Sequence, residues 1–195
     1  MKNIAILIFD DITVLDFTGP FEVFSQAKRN NDINIFTVAE ELNPIYSNGN
    51  LSINPNYCFS NCPKPDILII PGGVGTRREM DNTRLIAWIK SMHNEVEQLL
   101  SVCSGALLLA KADLLEGLKV TTHHNVFDLL ENIVPSSTIV ERNKRYIDNG
   151  KIIISAGVSA GIDMSLYVVE KIFGRDRALE TASGMEYDWN EITVN

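Results

Sequence analysis

Positive charge is scarce in this sequence. It has 17 lysines and arginines against 25 aspartates and glutamates, a net charge of −8, which argues against a nucleic-acid-binding surface. The basic residues fall in short runs such as Lys28-Arg29, Arg77-Arg78 and Arg142 to Arg145, read as solvated faces. No apolar stretch approaches the roughly 20 residues of a membrane span. Met1-Lys2-Asn3 leads straight into Ile4-Ala5-Ile6-Leu7-Ile8-Phe9, too short for a secretory signal and without a small-residue cleavage site. Histidine occurs only at 93, 123 and 124, with no metal-ligand spacing, and three cysteines at irregular positions do not make a disulfide framework. These absences predict a cytoplasmic protein with no metal, no cofactor, and no membrane or nucleic-acid partner. The remainder, 195 residues with 45% hydrophobic and 22% charged, suits one globular domain spanning residues 1–195.

The stretch from Gln98 to Ala110, QLLSVCSGALLLA, carries the strongest local signal. An apolar run meets Cys103, Ser104 and Gly105, and a second apolar run of good helix formers follows. The pattern predicts a strand, a sharp turn at Cys103 and a helix beginning at Ser104 or Gly105. Small residues at Ser101 and Gly105 allow the two backbones to approach closely. This is the plan of a nucleophile elbow with Cys in place of Ser. A thiol at a helix N-terminus is expected to have a depressed pKa, and the local N–H groups suit an oxyanion. The alternative is a buried structural cysteine, a common fate of free Cys.

The surrounding chain alternates between strand and helix. Ile4 to Phe9 reads as a strand buried on both faces, as in a parallel sheet. A loop through Asp16 follows, with Thr18 as N-cap and Pro20 in the first turn of a helix running to Lys28. Ile33 to Val38 is the second strand. Asn48-Gly49 suggests a hairpin, and Cys58 and Cys62 sit in an irregular excursion as structural or incidental thiols. Asp66 to Ile70 is a strand ending in Pro71-Gly72-Gly73-Val74-Gly75, a bend that lacks the ending of a P-loop. Its N–H groups are expected to stabilise developing negative charge. A helix begins at Asp81-Asn82-Thr83, and the elbow helix runs to about Leu115 with Gly117 as its stop. A short strand from Leu118 to Thr122 delivers His123, and a short helix covers Asn125 to Glu131. A hairpin turns at Asn149-Gly150, and the last helices are Ile162 to Phe173 and one from about Arg175. The alternation predicts a flavodoxin-like, doubly wound, mostly parallel α/β sheet with helices on both faces. Asp16 lies just past the first strand's carboxyl end, where sites gather in such sheets. Partly desolvated, it would handle protons near neutral pH, whereas a capping aspartate is the structural alternative. Glu22 is an acid of second rank.

Five segments carry a resemblance to a known family. They are Leu15-Asp16-Phe17-Thr18-Gly19-Pro20, Pro71-Gly72-Gly73-Val74-Gly75, Ser101-Val102-Cys103-Ser104-Gly105-Ala106, Thr121-Thr122-His123 and Ser155 to Met164. Together they resemble the DJ-1/PfpI (ThiJ/PfpI) superfamily, within it most closely the isonitrile hydratase branch. Some of these motifs also occur in the amidotransferase-like domain of AraC-type regulators. The roughly twenty residues after Phe173 are too few for the helix-turn-helix region of those regulators. Protease-like members place His directly after the nucleophile, where this chain has Ser104.

The resemblance implies a cysteine-dependent enzyme that hydrates an isonitrile to an N-substituted formamide. It assigns Cys103 as nucleophile and Asp16 as its acidic partner. Ser104 would hydrogen-bond the centre, or cap the helix, and its backbone N–H with those of the Gly72-Gly73 turn would stabilise the adduct. His123 and Glu22 remain further candidates. The resemblance also implies a small-molecule substrate and a homodimer. Glyoxalase-like or deglycase-like carbonyl chemistry, a cysteine redox sensor and a ligand-binding module are the competing expectations.

Overall fold

The fold is built on strands whose apolar side chains run almost without interruption, as burial on both sheet faces requires. In the computed structural model, which describes residues 1–189, the elements begin with β1 (Lys2–Leu7), α1 (Val14–Ala27), β2 (Ile33–Ala39), β3 (Ile45–Tyr46), β4 (Ser52–Ile53) and β5 (Tyr57–Cys58). Next come β6 (Ile67–Ile70), α2 (Thr76–Glu79), α3 (Thr83–Glu95), β7 (Gln98–Ser101), α4 (Gly105–Lys111) and β8 (Lys119–Val120). A 3₁₀ turn (His124–Val126) leads into α5 (Phe127–Ile133), and β9 (Ile139–Val140), β10 (Tyr146–Asp148), β11 (Ile152–Ser155), α6 (Ala160–Phe173) and α7 (Arg175–Gly184) complete the order.

Seven strands form the central sheet in the order β10-β11-β7-β6-β1-β2-β5. Every neighbouring pair is parallel except β10 with β11. Helices α1, α6 and α7 pack together, while α4 packs against α2, α3 and α5. The core includes Ile4, Ile6, Leu68, Ile70, Leu100, Leu107 and Ile153, each with no exposed surface. The mostly parallel α/β sheet expected from the alternation of elements is therefore observed. The hairpins at Asn48-Gly49 and Asn149-Gly150 form as β3–β4 and β10–β11.

Three expected boundaries differ. The first helix starts at Val14, not after Thr18, because the chain turns sharply at Asp11 (φ 62°) and Ile12 bridges to Gly73. Thr18 then sits inside the helix and donates its hydroxyl to the Val14 carbonyl at 2.8 Å, and Pro20 is also interior. The elbow helix stops at Lys111, short of Leu115, ahead of a turn at Asp113 (φ 59°). The segment leading to His123 contributes only Lys119–Val120, paired with β9 outside the central sheet.

Register decides where the site lies. Ile70 on β6 stands beside Ser101 on β7, which in turn neighbours Ile154 on β11. Because the three strands are parallel, their carboxyl ends bring the turns at Gly72, Cys103 and Val158 together on one edge of the sheet.

Candidate active site

Cys103 occupies a strained elbow. Its backbone is left-handed at φ 57°, a conformation that costs a non-glycine residue on the order of 1–3 kcal/mol. Two neighbours hold it there: the Cys103 N–H donates to the Ala156 carbonyl at 3.1 Å, and the Cys103 carbonyl accepts the Thr122 hydroxyl at 2.8 Å. Helix α4 begins two residues later, close against β6. A Cβ at Gly105 would lie 2.3 Å from the Ile70 carbonyl oxygen, so the close approach expected of a small residue there is a steric requirement.

Asp16 lies in the first turn of α1 with no exposed surface, not in a loop as expected. Its Oδ2 accepts the Gly72 N–H at 3.1 Å. Its Oδ1 is buried without a hydrogen-bond partner, and the carboxyl interacts with the Cys103 thiol. The Gly72 position must stay bare, since a Cβ would meet the Ser104 nitrogen at 2.6 Å and Asp16 Oδ2 at 2.8 Å.

Two of the expected oxyanion donors are spoken for. The Gly72 N–H serves Asp16, and the Gly73 N–H donates to Ser104 Oγ at 3.0 Å. Ser104 Oγ also donates to the Gly73 carbonyl and accepts the Thr76 hydroxyl, both at 3.1 Å. Its side chain makes no helix cap; it ties the Gly-rich bend to the elbow. The backbone donors aimed at the thiol are those of Ser104, which the resemblance also implied, and of Val158. Val158, also left-handed at φ 46°, was assigned no role by sequence reasoning. Its signal was the Ala156-Gly157-Val158 turn at the end of β11.

The motif after Val158 anchors that turn. Arg145 pairs with the buried Asp163 carboxylate, which also accepts the Tyr187 hydroxyl at 3.0 Å. Gly161 admits Val102, whose Cγ1 would lie 2.9 Å from an added Cβ.

The profile described as "DJ-1/PfpI family" matches residues 2–171. The chain belongs to the DJ-1/PfpI family. It is similar to an isonitrile hydratase of Pseudomonas putida, 31% identical over 95% of this chain and 78% of that protein. The fold is similar to a solved ThiJ/PfpI family protein from Pseudomonas syringae, with a TM-score of 0.88 and 30% identity over 98% of this chain and 77% of that one. The transcriptional regulator GbdR of Pseudomonas aeruginosa is 24% identical over 90% of this chain, which spans only 48% of the regulator.

In this DJ-1/PfpI chain the elbow opens into a cavity of about 150 Å³ lined by Cys103, Ser104, Gly73, Arg77, His123 and Val158 among others. His123 reaches the cavity, but its Nδ1 accepts the Asn125 N–H at 3.2 Å and no hydrogen bond joins it to Cys103. Its pKa is pushed down by burial and by the neighbouring His124 and Arg77 charges, so the ring is neutral at pH 7. Glu22 is exposed and accepts from Gln26 on its own helix at 2.8 Å, which removes it from the site. No cluster of His, Cys, Asp or Glu among the described residues is arranged to hold a metal ion, and none of their helices is long and apolar enough to cross a membrane.

Burial dominates the electrostatics of the pair. Desolvation raises Asp16 from 3.8 to about 6, against the neighbouring Cys103 thiol and the Gly72 N–H, which lower it. Desolvation first, and then the Asp16 charge, push the Cys103 thiol up to about 12 despite the Ser104 and Val158 N–H groups. The depressed thiol pKa expected from a helix N-terminus is thereby corrected. A helix dipole supplies a fraction of a charge at a short helix end, and it loses to burial beside a carboxylate.

Proposed function

We propose that the protein is a cysteine-dependent, isonitrile hydratase-like enzyme converting R–N≡C and water to the formamide R–NH–CHO. The observation that carries this reading is the buried Asp16 carboxyl, with one unpartnered oxygen beside a protonated Cys103 thiol. A resting S–H suits a reaction that adds both sulfur and hydrogen to the same carbon. Sulfur bonds to the terminal carbon while its proton travels through Asp16 to that carbon, giving the thioimidate R–N=CH–S–Cys103. Water then adds to the carbon: one water proton reaches nitrogen through Asp16, leaving a carbon that bears OH, H, NHR and sulfur. The C–S bond breaks with its electron pair on sulfur, the carbonyl forms, and the hydroxyl proton returns through Asp16 to the thiolate. The Ser104 and Val158 N–H groups stabilise the sulfur as it gains charge in attack and departure.

An Asp16 pKa of about 6 suits a group that must both accept and release a proton near neutral pH. A thiol held near 12 disfavours the redox-sensor alternative, because peroxide reacts with thiolate. We also infer one catalytic domain per chain and assembly as a homodimer, for which light scattering at micromolar concentration should return a dimer mass. Incubation with a small isonitrile, with formamide followed by NMR, tests the reaction. Formamide is expected from the wild type and not from Cys103→Ala, and no formamide from several isonitriles would overturn the reading.

A further inference from the structure

The cavity over Cys103 holds a cation that the proposed chemistry does not use. Arg77 lines it, and no other lining residue is an arginine, lysine, aspartate or glutamate. Its NH1 donates to the Gly73 carbonyl at 3.1 Å and lies 3.4 Å from Thr76 Oγ1. No acceptor among the described residues engages its Nε or NH2. The adjacent Arg78 behaves in the ordinary way, pairing with Asp11 at 3.0 Å and Glu79 at 2.9 Å. In a chain with 25 acidic and 17 basic side chains, this arginine has no carboxylate partner among the described residues. Burial first, then the His124 and Arg77 charges, lower the pKa of His123 on the same cavity. The Gly73 and Thr76 contacts hold one side of the guanidinium and leave the rest of its planar fork for a ligand.

We propose that Arg77 is a specificity-determining residue that binds an anionic group, a carboxylate, on the substrate whose reacting carbon meets Cys103. The planar, two-pronged match of guanidinium to carboxylate is the usual reason for arginine at such a place. A half-open cavity of about 150 Å³ that holds both Arg77 and Cys103 suits a short substrate with its anion close to the reacting carbon. With His123 neutral, Arg77 supplies the positive charge at the mouth. The buried Asp16 charge opposes an anion from below, so any preference for anions must come from the rim. Combined with the proposed hydration, on which this part rests, the substrate class becomes short isonitriles bearing a carboxylate.

Alkylation of Cys103 tests the anion site without assuming any activity. Iodoacetate and iodoacetamide differ in charge and little in size, and peptide mapping at pH 8.5 resolves Cys103 from Cys58 and Cys62, which report the intrinsic rate ratio. The expected result is an iodoacetate-to-iodoacetamide ratio at Cys103 about tenfold or more above that reference, the scale of one charge-assisted contact. Arg77→Met should bring the ratio to or below the reference, and Arg77→Lys should retain part of it. A Cys103 ratio equal to the reference in wild type, or unchanged in Arg77→Met, overturns the proposal.

The second arm compares turnover of isocyanoacetate with that of its neutral ethyl ester. A kcat/KM about tenfold higher for the acid, lost in Arg77→Met mainly through KM, is expected. Equal values for acid and ester overturn the carboxylate specificity. If neither isonitrile is hydrated, the proposed reaction fails while the alkylation ratio still decides the anion site.

Discussion

Replacing Asp16 by Asn separates catalysis, thiol acidity and stability in one variant. The carboxyl holds its proton to about 6 in the folded protein but releases it at 3.8 in the unfolded chain. Between those values the native state binds the extra proton, so this group's contribution to stability falls as pH rises from 3.8 to 6 and stays at its minimum above. The displacement corresponds to about 3 kcal/mol of destabilisation at neutral pH. Asn keeps the shape and can still accept the Gly72 N–H, without a buried charge. Asp16→Asn is therefore expected to stabilise the protein at pH 7.5 by up to about 3 kcal/mol, a rise in Tm of up to roughly 6–12 °C for a chain of this size. The advantage should vanish below about pH 4, where the wild-type carboxyl is protonated in both states. Loss of the negative charge should also lower the thiol pKa from about 12, so iodoacetamide modifies Cys103 at lower pH than in wild type. Turnover should nonetheless fall by roughly 10²-fold or more, because the amide cannot carry a proton between sulfur, carbon and water. Calorimetry across pH, a pH–alkylation profile and formamide assays read the three effects. Wild-type turnover, or a lower Tm at pH 7.5 with an unchanged thiol profile, would refute the assignment of Asp16 as an ionised proton carrier.

Other outcomes follow from the geometry. His123→Gln should leave kcat within about threefold, since no hydrogen bond links His123 to Cys103; a loss of 10²-fold, the usual scale for a general base, would restore a Cys–His mechanism. Gly105→Ala should lower stability by about 1–3 kcal/mol or more in urea melts, because its Cβ would sit 2.3 Å from the Ile70 carbonyl oxygen; an unchanged midpoint would mean that β6 and α4 separate readily. Ser104→Ala should cost about 1–3 kcal/mol by stranding the Gly73 N–H, which denaturation would detect. Iodoacetamide at pH 7.5 should label Cys58, whose pKa is lowered by its Ser60 contact, ahead of Cys62, raised to about 11 by burial; the reverse order in peptide maps would contradict this.

The apolar runs at Ile4 to Phe9 and from Ile67 to Ile70 announced buried strands of a parallel sheet because a strand covered on both faces has little room for a polar side chain. The small-Cys-small pattern around Cys103 announced the elbow because only small residues tolerate the strand-to-helix approach that Gly105 makes. Asn82, read at the start of a helix, caps α3 through Arg84 and Leu85 N–H groups at 3.2 Å. These signals are local, and neighbouring residues carry them whole. The start of α1 was not legible, since Ile12, Phe17 and their neighbours fit a loop or a helix equally until the bridge from Ile12 to Gly73 closes. The Gly-rich bend showed its N–H groups in the sequence, but which acceptor each one finds depends on Asp16 and Ser104 from distant segments. Val158 reaches the thiol only because β7 and β11 lie side by side. The sign of the Cys103 pKa shift was also set by the fold. A helix N-terminus is visible in sequence and favours thiolate, whereas desolvation and the Asp16 carboxylate favour the thiol. Both of those arise only when remote parts of the chain enclose the sulfur, and in a low-dielectric interior they outweigh a partial charge at a helix end.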